Sequence, residues 1–243
     1  MILLTAFLAG AFAAIHLFID KLRFLDAVPR SRWLSAAGGV AVAYVFLHIL
    51  PELSSHQQTF ADGLGLDERT AEMWVYLVAL AGLGIFYGLE RAAKLSRSRS
   101  RSEGGGDAVE AKVFWLHIVS FSFYNVLIGY LLLHREETGL WSLFIYFVAM
   151  GLHFVTNDFG MRDDHRDLYD RRGRWFIAAA VLIGWTLGVT ISVSEIVIGF
   201  LFAFLAGGVV LNVLKEELPE ERKSRFLPFA IGLVGYATLL LFA

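Results

Sequence analysis

Long apolar blocks alternate along the chain with short clusters of charge. Eight blocks stand out, at 2–19, 33–50, 73–89, 113–133, 140–160, 175–191, 196–214 and 226–243. Each approaches the ~20 residues that a helix needs to cross ~30 Å of hydrocarbon. None alternates polar and apolar positions as the strands of a membrane barrel do. The pattern predicts an all-α polytopic membrane protein with eight transmembrane helices, forming a single transmembrane domain over 1–243.

Composition agrees. The 243 residues are 57% hydrophobic and 18% charged, with mean hydropathy +0.60. A soluble domain runs nearer ~45–50% and ~25%. There is no cysteine, which excludes disulfides, thiolate metal sites and cysteine nucleophiles.

Charge placement predicts direction. The connections after blocks 1, 3, 5 and 7 hold 4, 6, 5 and 4 Lys/Arg, whereas those after blocks 2, 4 and 6 hold only Arg69 and Arg135. So 19 of the 21 basic residues fall on one side, which the positive-inside tendency makes cytoplasmic. Both termini are then outside, in a plasma or inner cell membrane. The first block has no basic residue before it and is followed by Lys21, Arg23, Arg30 and Arg32, so it reads as a first span and not a cleavable signal. The segment 91–112 contains Arg-Ser-Arg-Ser-Arg-Ser-Glu-Gly-Gly-Gly and is expected to be a flexible cytoplasmic loop. Its arginines suit a solvated linker better than a nucleic-acid site.

Leu-Pro-Glu occurs at 50–52 and again at 218–220, at the ends of blocks 2 and 7 and on opposite faces of the membrane. Paired halves of opposite orientation make an inverted repeat, with spans 1–3 matching 6–8 around a central 4–5 pair. The simpler alternative is helix-stop chemistry, since proline disfavours helix in the residue before it.

Polar side chains within a span cost ~2.5–3.5 kcal/mol on insertion scales and so face the bundle interior. The candidates are few. His16 and Asp20, His48 and Glu52, and Asn212 and Glu216 are spaced i, i+4. In span 4, His117, Ser120 and Tyr124 share a stripe with Asn125 at its margin. In span 5, His153, Thr156 and Asn157 share a face, and Asp158 lies ~140° round from His153. Imidazole and carboxylate suit zinc, iron or manganese. The expected metal residues are His153, Asp158, Asn157, His117, Tyr124 and Ser120. His16 and His48 fall near headgroup depth, where an ordinary hydrogen-bonding role is expected. His56, His134 and His165 fall in connections.

At these residues the chain resembles the ZIP family of divalent-metal transporters along its whole length. Span 2 ends His48-Ile49-Leu50-Pro51-Glu52, similar to that family's His-x-x-Pro-acid pattern, and span 7 runs through Gly207-Gly208 to Glu217-Leu218-Pro219-Glu220. The resemblance implies an inverted-repeat bundle, often a homodimer, in which spans 1, 4, 5 and 6 carry the metal past a scaffold of 2, 3, 7 and 8. It makes His48, Glu52, Glu216 and Glu220 secondary or gating residues. Departures are concentrated in the metal motifs. Ser120 and Tyr124 stand where the family's span 4 has His and Asp. In span 5, Phe154, Thr156, Asn157 and Met161 replace a carboxylate, the proline, a second His and the last acid. Fewer anionic ligands compensate a desolvated divalent ion less well.

The leading expectation is a transporter of a divalent metal, zinc foremost, with an altered site. The metal is cargo, and no organic cofactor or nucleic acid is expected. A transport-inactive scaffold or sensor on the same fold is the alternative. An intramembrane zinc hydrolase is third, because it needs several histidines at one depth whereas His16 and His48 fall near opposite faces. The chain is therefore not expected to be an enzyme.

Overall fold

A computed structural model describes residues 1–22, 32–102, 111–135, 139–217 and 225–241. Every regular element among them is helical: α1 (Ile2–Phe18), α2 (Arg32–Tyr44), α3 (Leu50–Leu64), α4 (Glu68–Ser102), α5 (Ala111–Leu131), α6 (Leu140–Leu168), α7 (Arg174–Thr190), α8 (Glu195–Glu217) and α9 (Phe226–Leu241), with short 3-10 and π segments. Among the described residues, six helices are long and apolar enough to cross a membrane. The apolar stretches Glu195–Leu211 and Phe226–Leu241, in the places of spans 7 and 8, are shorter. Apolar side chains such as Phe7, Leu80 and Ile231 are exposed, as a bilayer-facing surface requires.

Two local expectations are corrected. Pro51 does not end its helix. It lies in the first turn of α3, and the five residues Val45–Ile49 before it form a π turn, so 32–64 run as one continuous helical rod. Proline removes one amide donor and crowds the preceding turn, and a widened turn accommodates both. The rod closes at Gly65, which takes φ 64° and lets the Leu66 amide reach back to the Ala61 carbonyl. The Arg/Ser-rich segment also begins as helix, because α4 continues to Ser102. Residues 103–110 lie outside the described part, as do 218–224 with the second Leu-Pro-Glu and Glu220.

The helices gather into two compact units. Unit 1 is Met1–Arg23 with Gly88–Ile191, and unit 2 is Phe24–Tyr87 with Ser192–Ala243. Unit 1 thus takes the helices at spans 1, 4, 5 and 6, and unit 2 those at spans 2, 3, 7 and 8.

In unit 1, α1 lies against both α6 and α7. Phe12 stacks on Phe147 and His16 meets Asp158, so α1 and α6 run parallel. Trp185 donates to Thr5 Oγ1 at 3.0 Å and Arg174 to the Leu17 carbonyl at 3.2 Å, so α1 and α7 run antiparallel. The chain reverses in between, where Arg162 makes a two-pronged pair with Asp170. Helices α5 and α7 cross where glycines face backbone: a side chain at Gly129 would strike the Val181 carbonyl, and one at Gly184 the Val126 carbonyl. Small residues let backbones approach where lipid gives no hydrophobic drive to associate.

Unit 2 repeats this device twice. Gly39 on α2 abuts the Phe229 carbonyl while Gly232 on α9 abuts that of Ala36, and Gly207 on α8 abuts the Ala79 carbonyl while Gly82 on α4 abuts that of Phe204. Helices α2 and α9 run parallel, since Ser35 meets Arg225 and Tyr44 meets Tyr236. Helices α3 and α8 run antiparallel, since His56 meets Phe202 and Gly63 meets Ile196.

Candidate functional site

The buried polar side chains of unit 1 include His16, His117, Asn125, His153, Thr156 and Asp158. Their centre is a contact the sequence does not announce. His16 on α1 is fully enclosed, and its Nδ1 lies 2.7 Å from Oδ2 of Asp158 on α6, itself 3% exposed. A carboxylate has no proton to give, so the imidazole donates through Nδ1–H. In the neutral ring this leaves Nε2 with its lone pair, and Nε2 is buried without a hydrogen-bond partner. Such an orphan costs about 1–3 kcal/mol in desolvation alone. His16 is thus enclosed within unit 1 and makes the hydrogen bond to a neighbouring helix that its expected role calls for.

Asp158 reaches α1 because it stands well round the helix from His153. The offset that removes it from the His153 face aims it at a different neighbour. Phe154 fills the angle between them, wholly buried, with its ring 4.5 Å from that of His16, 6.4 Å from that of His153 and 5.0 Å from that of Phe12. Tyr169, enclosed at the start of the π-helical segment Tyr169–Gly173, turns its hydroxyl toward Asp158.

The other expected metal residues are placed as follows. Tyr124 packs edge-on against His153 with ring centres 5.5 Å apart, but its hydroxyl points to Met150 Sδ at 3.9 Å. Ser120 and Thr156 donate within their own helices, to Leu116 and His153 carbonyls at 3.0 and 2.9 Å. Asn125 donates to the Phe121 carbonyl at 2.8 Å. Asn157 is half-buried and His117 buried. Among the described residues, no three His, Asp or Glu side chains gather closely enough to hold a metal ion. Tyr124 and His153 meet, whereas Asp158 is engaged by His16.

In unit 2 the i, i+4 pair forms as spaced: His48 Nε2 is 3.4 Å from Glu52 Oε2, with the imidazole stacked on Tyr44. One turn on, His56 is buried beside Phe202, not held in a loop. His134 lies in the connection after α5, as expected, and bonds the Gly188 carbonyl of α7 at 2.8 Å with its ring stacked on Tyr130. The Glu216 side chain and Glu220 lie outside what is described.

One sequence signal pointed to the His16–Asp158 contact. His16 lies three residues before the end of block 1 and Asp158 two before the end of block 5, and both blocks run in the same direction by charge. The two residues therefore share a depth. Compared with family models, curated proteins and solved structures, the chain matches none.

Proposed function

We propose that the chain is a ZIP-like membrane transporter of a divalent metal cation, zinc foremost, in which unit 1 holds the ion-binding side chains and unit 2 is the scaffold. The observation that carries this reading is the membership of the two units. Helices at spans 1, 4, 5 and 6 gather separately from those at 2, 3, 7 and 8, the division that the resemblance implies. A buried imidazole–carboxylate pair lies in the unit expected to bind the ion.

The glycine crossings support the inverted repeat that belongs to this reading. Exchanging span 2 with 7 and span 3 with 8 turns the α2–α9 crossing into the α8–α4 crossing. Gly39 precedes Pro51 by 12 residues, and Gly207 precedes Pro219 by the same 12. The parallel and antiparallel neighbours within each unit are those of eight alternating crossings.

The lack of a three-ligand cluster among the described residues favours a second reading, a ZIP-like scaffold or sensor that moves no metal. Metal uptake by the purified chain in liposomes separates the two. Saturable entry of zinc supports transport, and no entry of zinc, iron, manganese or cadmium supports the scaffold.

A further inference from the structure

We propose that the basic end of α4 is a docking surface for anionic phospholipids of the leaflet from which it emerges, the inner one by the distribution of basic residues. Arg91 and Lys94 meet the headgroups, and Arg97, Arg99 and Arg101 extend the positive surface beyond them. The inference rests on the membrane reading alone and holds whether or not metal is moved.

Four observations carry it. The first is length. Helix α4 runs 35 residues, Glu68–Ser102, and its apolar block ends at Leu89, so 90–102 continue as helix for about 20 Å past the hydrocarbon. The headgroup layer is about 5–8 Å deep on each side, which places Arg91 and Lys94 within it. The second is charge. From 91 to 102 the chain carries Arg91, Lys94, Arg97, Arg99 and Arg101 and no acid. The third is the face. At ~100° per residue, Arg91, Lys94, Arg97 and Arg101 lie within an arc of ~120°. Arg91, Lys94 and Arg99 are exposed together with Leu95, whereas Ser96, ~140° round from Arg91, is buried. An exposed leucine among exposed cations is the composition of a helix face that meets a lipid interface. The fourth is conformation. Arg97 and Arg101 are like charges at i, i+4, which destabilise a helix standing in water. The favourable effect of cations at a helix C-terminus is confined to the last turn. An anionic surface offsets the repulsion along the whole stripe.

Guanidinium groups pair with phosphate through two parallel hydrogen bonds. A polybasic segment just beyond a span is drawn to the negative surface of the adjoining leaflet. Single-stranded nucleic acid also attracts arginine, but it is held by aromatic side chains on which bases stack, and 90–102 contain no Phe, Tyr or Trp. The observations therefore favour lipid.

The test uses the full-length chain in vesicles of phosphatidylcholine, alone or mixed with phosphatidylglycerol. Because the chain has no cysteine, Ser98→Cys, at an exposed position of the stripe, takes a single environment-sensitive fluorophore. Each lipid is brominated in turn as a quencher. The emission is expected to shift to the blue only when phosphatidylglycerol is present. Brominated phosphatidylglycerol is expected to quench it several-fold more than brominated phosphatidylcholine, since each basic residue near an anionic surface favours that surface by roughly fivefold. High salt is expected to erase the difference by screening. Arg97→Gln, Arg99→Gln and Arg101→Gln combined in the labelled chain are expected to lose most of the preference, and Arg69→Gln, at the other end of the span, to keep it. Equal quenching by the two lipids in the labelled chain overturns the proposal, and this arm stands even if the triple variant does not fold. An undiminished preference in a folded triple variant also overturns it. A blue shift on adding single-stranded RNA to phosphatidylcholine vesicles, with no response to phosphatidylglycerol, assigns the stripe to nucleic acid and overturns it as well. Zinc is absent from every arm, so failure here leaves the transport reading standing, and liposomes impermeable to zinc leave this inference standing.

Discussion

His16 and Asp158, 142 residues apart, meet at 2.7 Å between two parallel helices, with neither side chain open to solvent. Removing either partner leaves a different residue stranded, so the two deletions are expected to differ. His16→Ala abandons an enclosed carboxylate, at about 3–5 kcal/mol, the range for breaking a buried pair. Asp158→Ala abandons a neutral imidazole N–H, at about 1–3 kcal/mol. Thermal unfolding in detergent at neutral pH checks the order. Equal losses would mean that the carboxylate finds another partner.

The glycine crossings predict a paired response in unit 2. Gly39→Ala and Gly207→Ala each place a methyl group against a backbone carbonyl, so both should lower stability by a similar margin. Gly84→Ala and Gly88→Ala, on α4 where a side chain meets open space, should leave stability unchanged or slightly raised. Size-exclusion profiles after heating separate the groups. A tolerant Gly39 beside an intolerant Gly207 would argue against their equivalence.

Much of the bundle could be read from apolar runs alone. Block 2–19 became α1 at Ile2–Phe18 and block 226–243 became α9 at Phe226–Leu241, because lipid demands unbroken apolar length. Length says nothing about what a polar residue meets. Asp158 stands off the His153 face, and its partner comes from α1, a helix more than a hundred residues away in sequence. Proline usually ends helices, so Pro51 predicts a stop, but the π turn at Val45–Ile49 absorbs it. The same stop puts His56 in a loop. Once the rod continues to Leu64, His56 falls one turn beyond Glu52 and packs on Phe202.

Outside the spans, Asp67 precedes α4 and its Oδ1 accepts the Thr70 amide at 3.1 Å. Its hydrogen bonds to Thr70, the side chain first and then the backbone, hold this carboxyl below its ordinary value of 3.8. A carboxyl depressed in the folded state stabilises above its ordinary value and loses that contribution as pH falls through the folded one. The first turn of α4 should therefore fray under acid at pH values below 3.8, seen as faster exchange of the Thr70 amide. Asp67→Asn, which keeps an acceptor but does not titrate, should show no such step.

Zinc entry into liposomes carrying the native chain, compared with Asp158→Asn and His153→Ala, tests the central claim most directly. The account predicts saturable zinc uptake by the native protein, strongly reduced in both variants while their folding is preserved. Liposomes that stay impermeable to zinc with the native chain, or uptake undiminished in both variants, would contradict it.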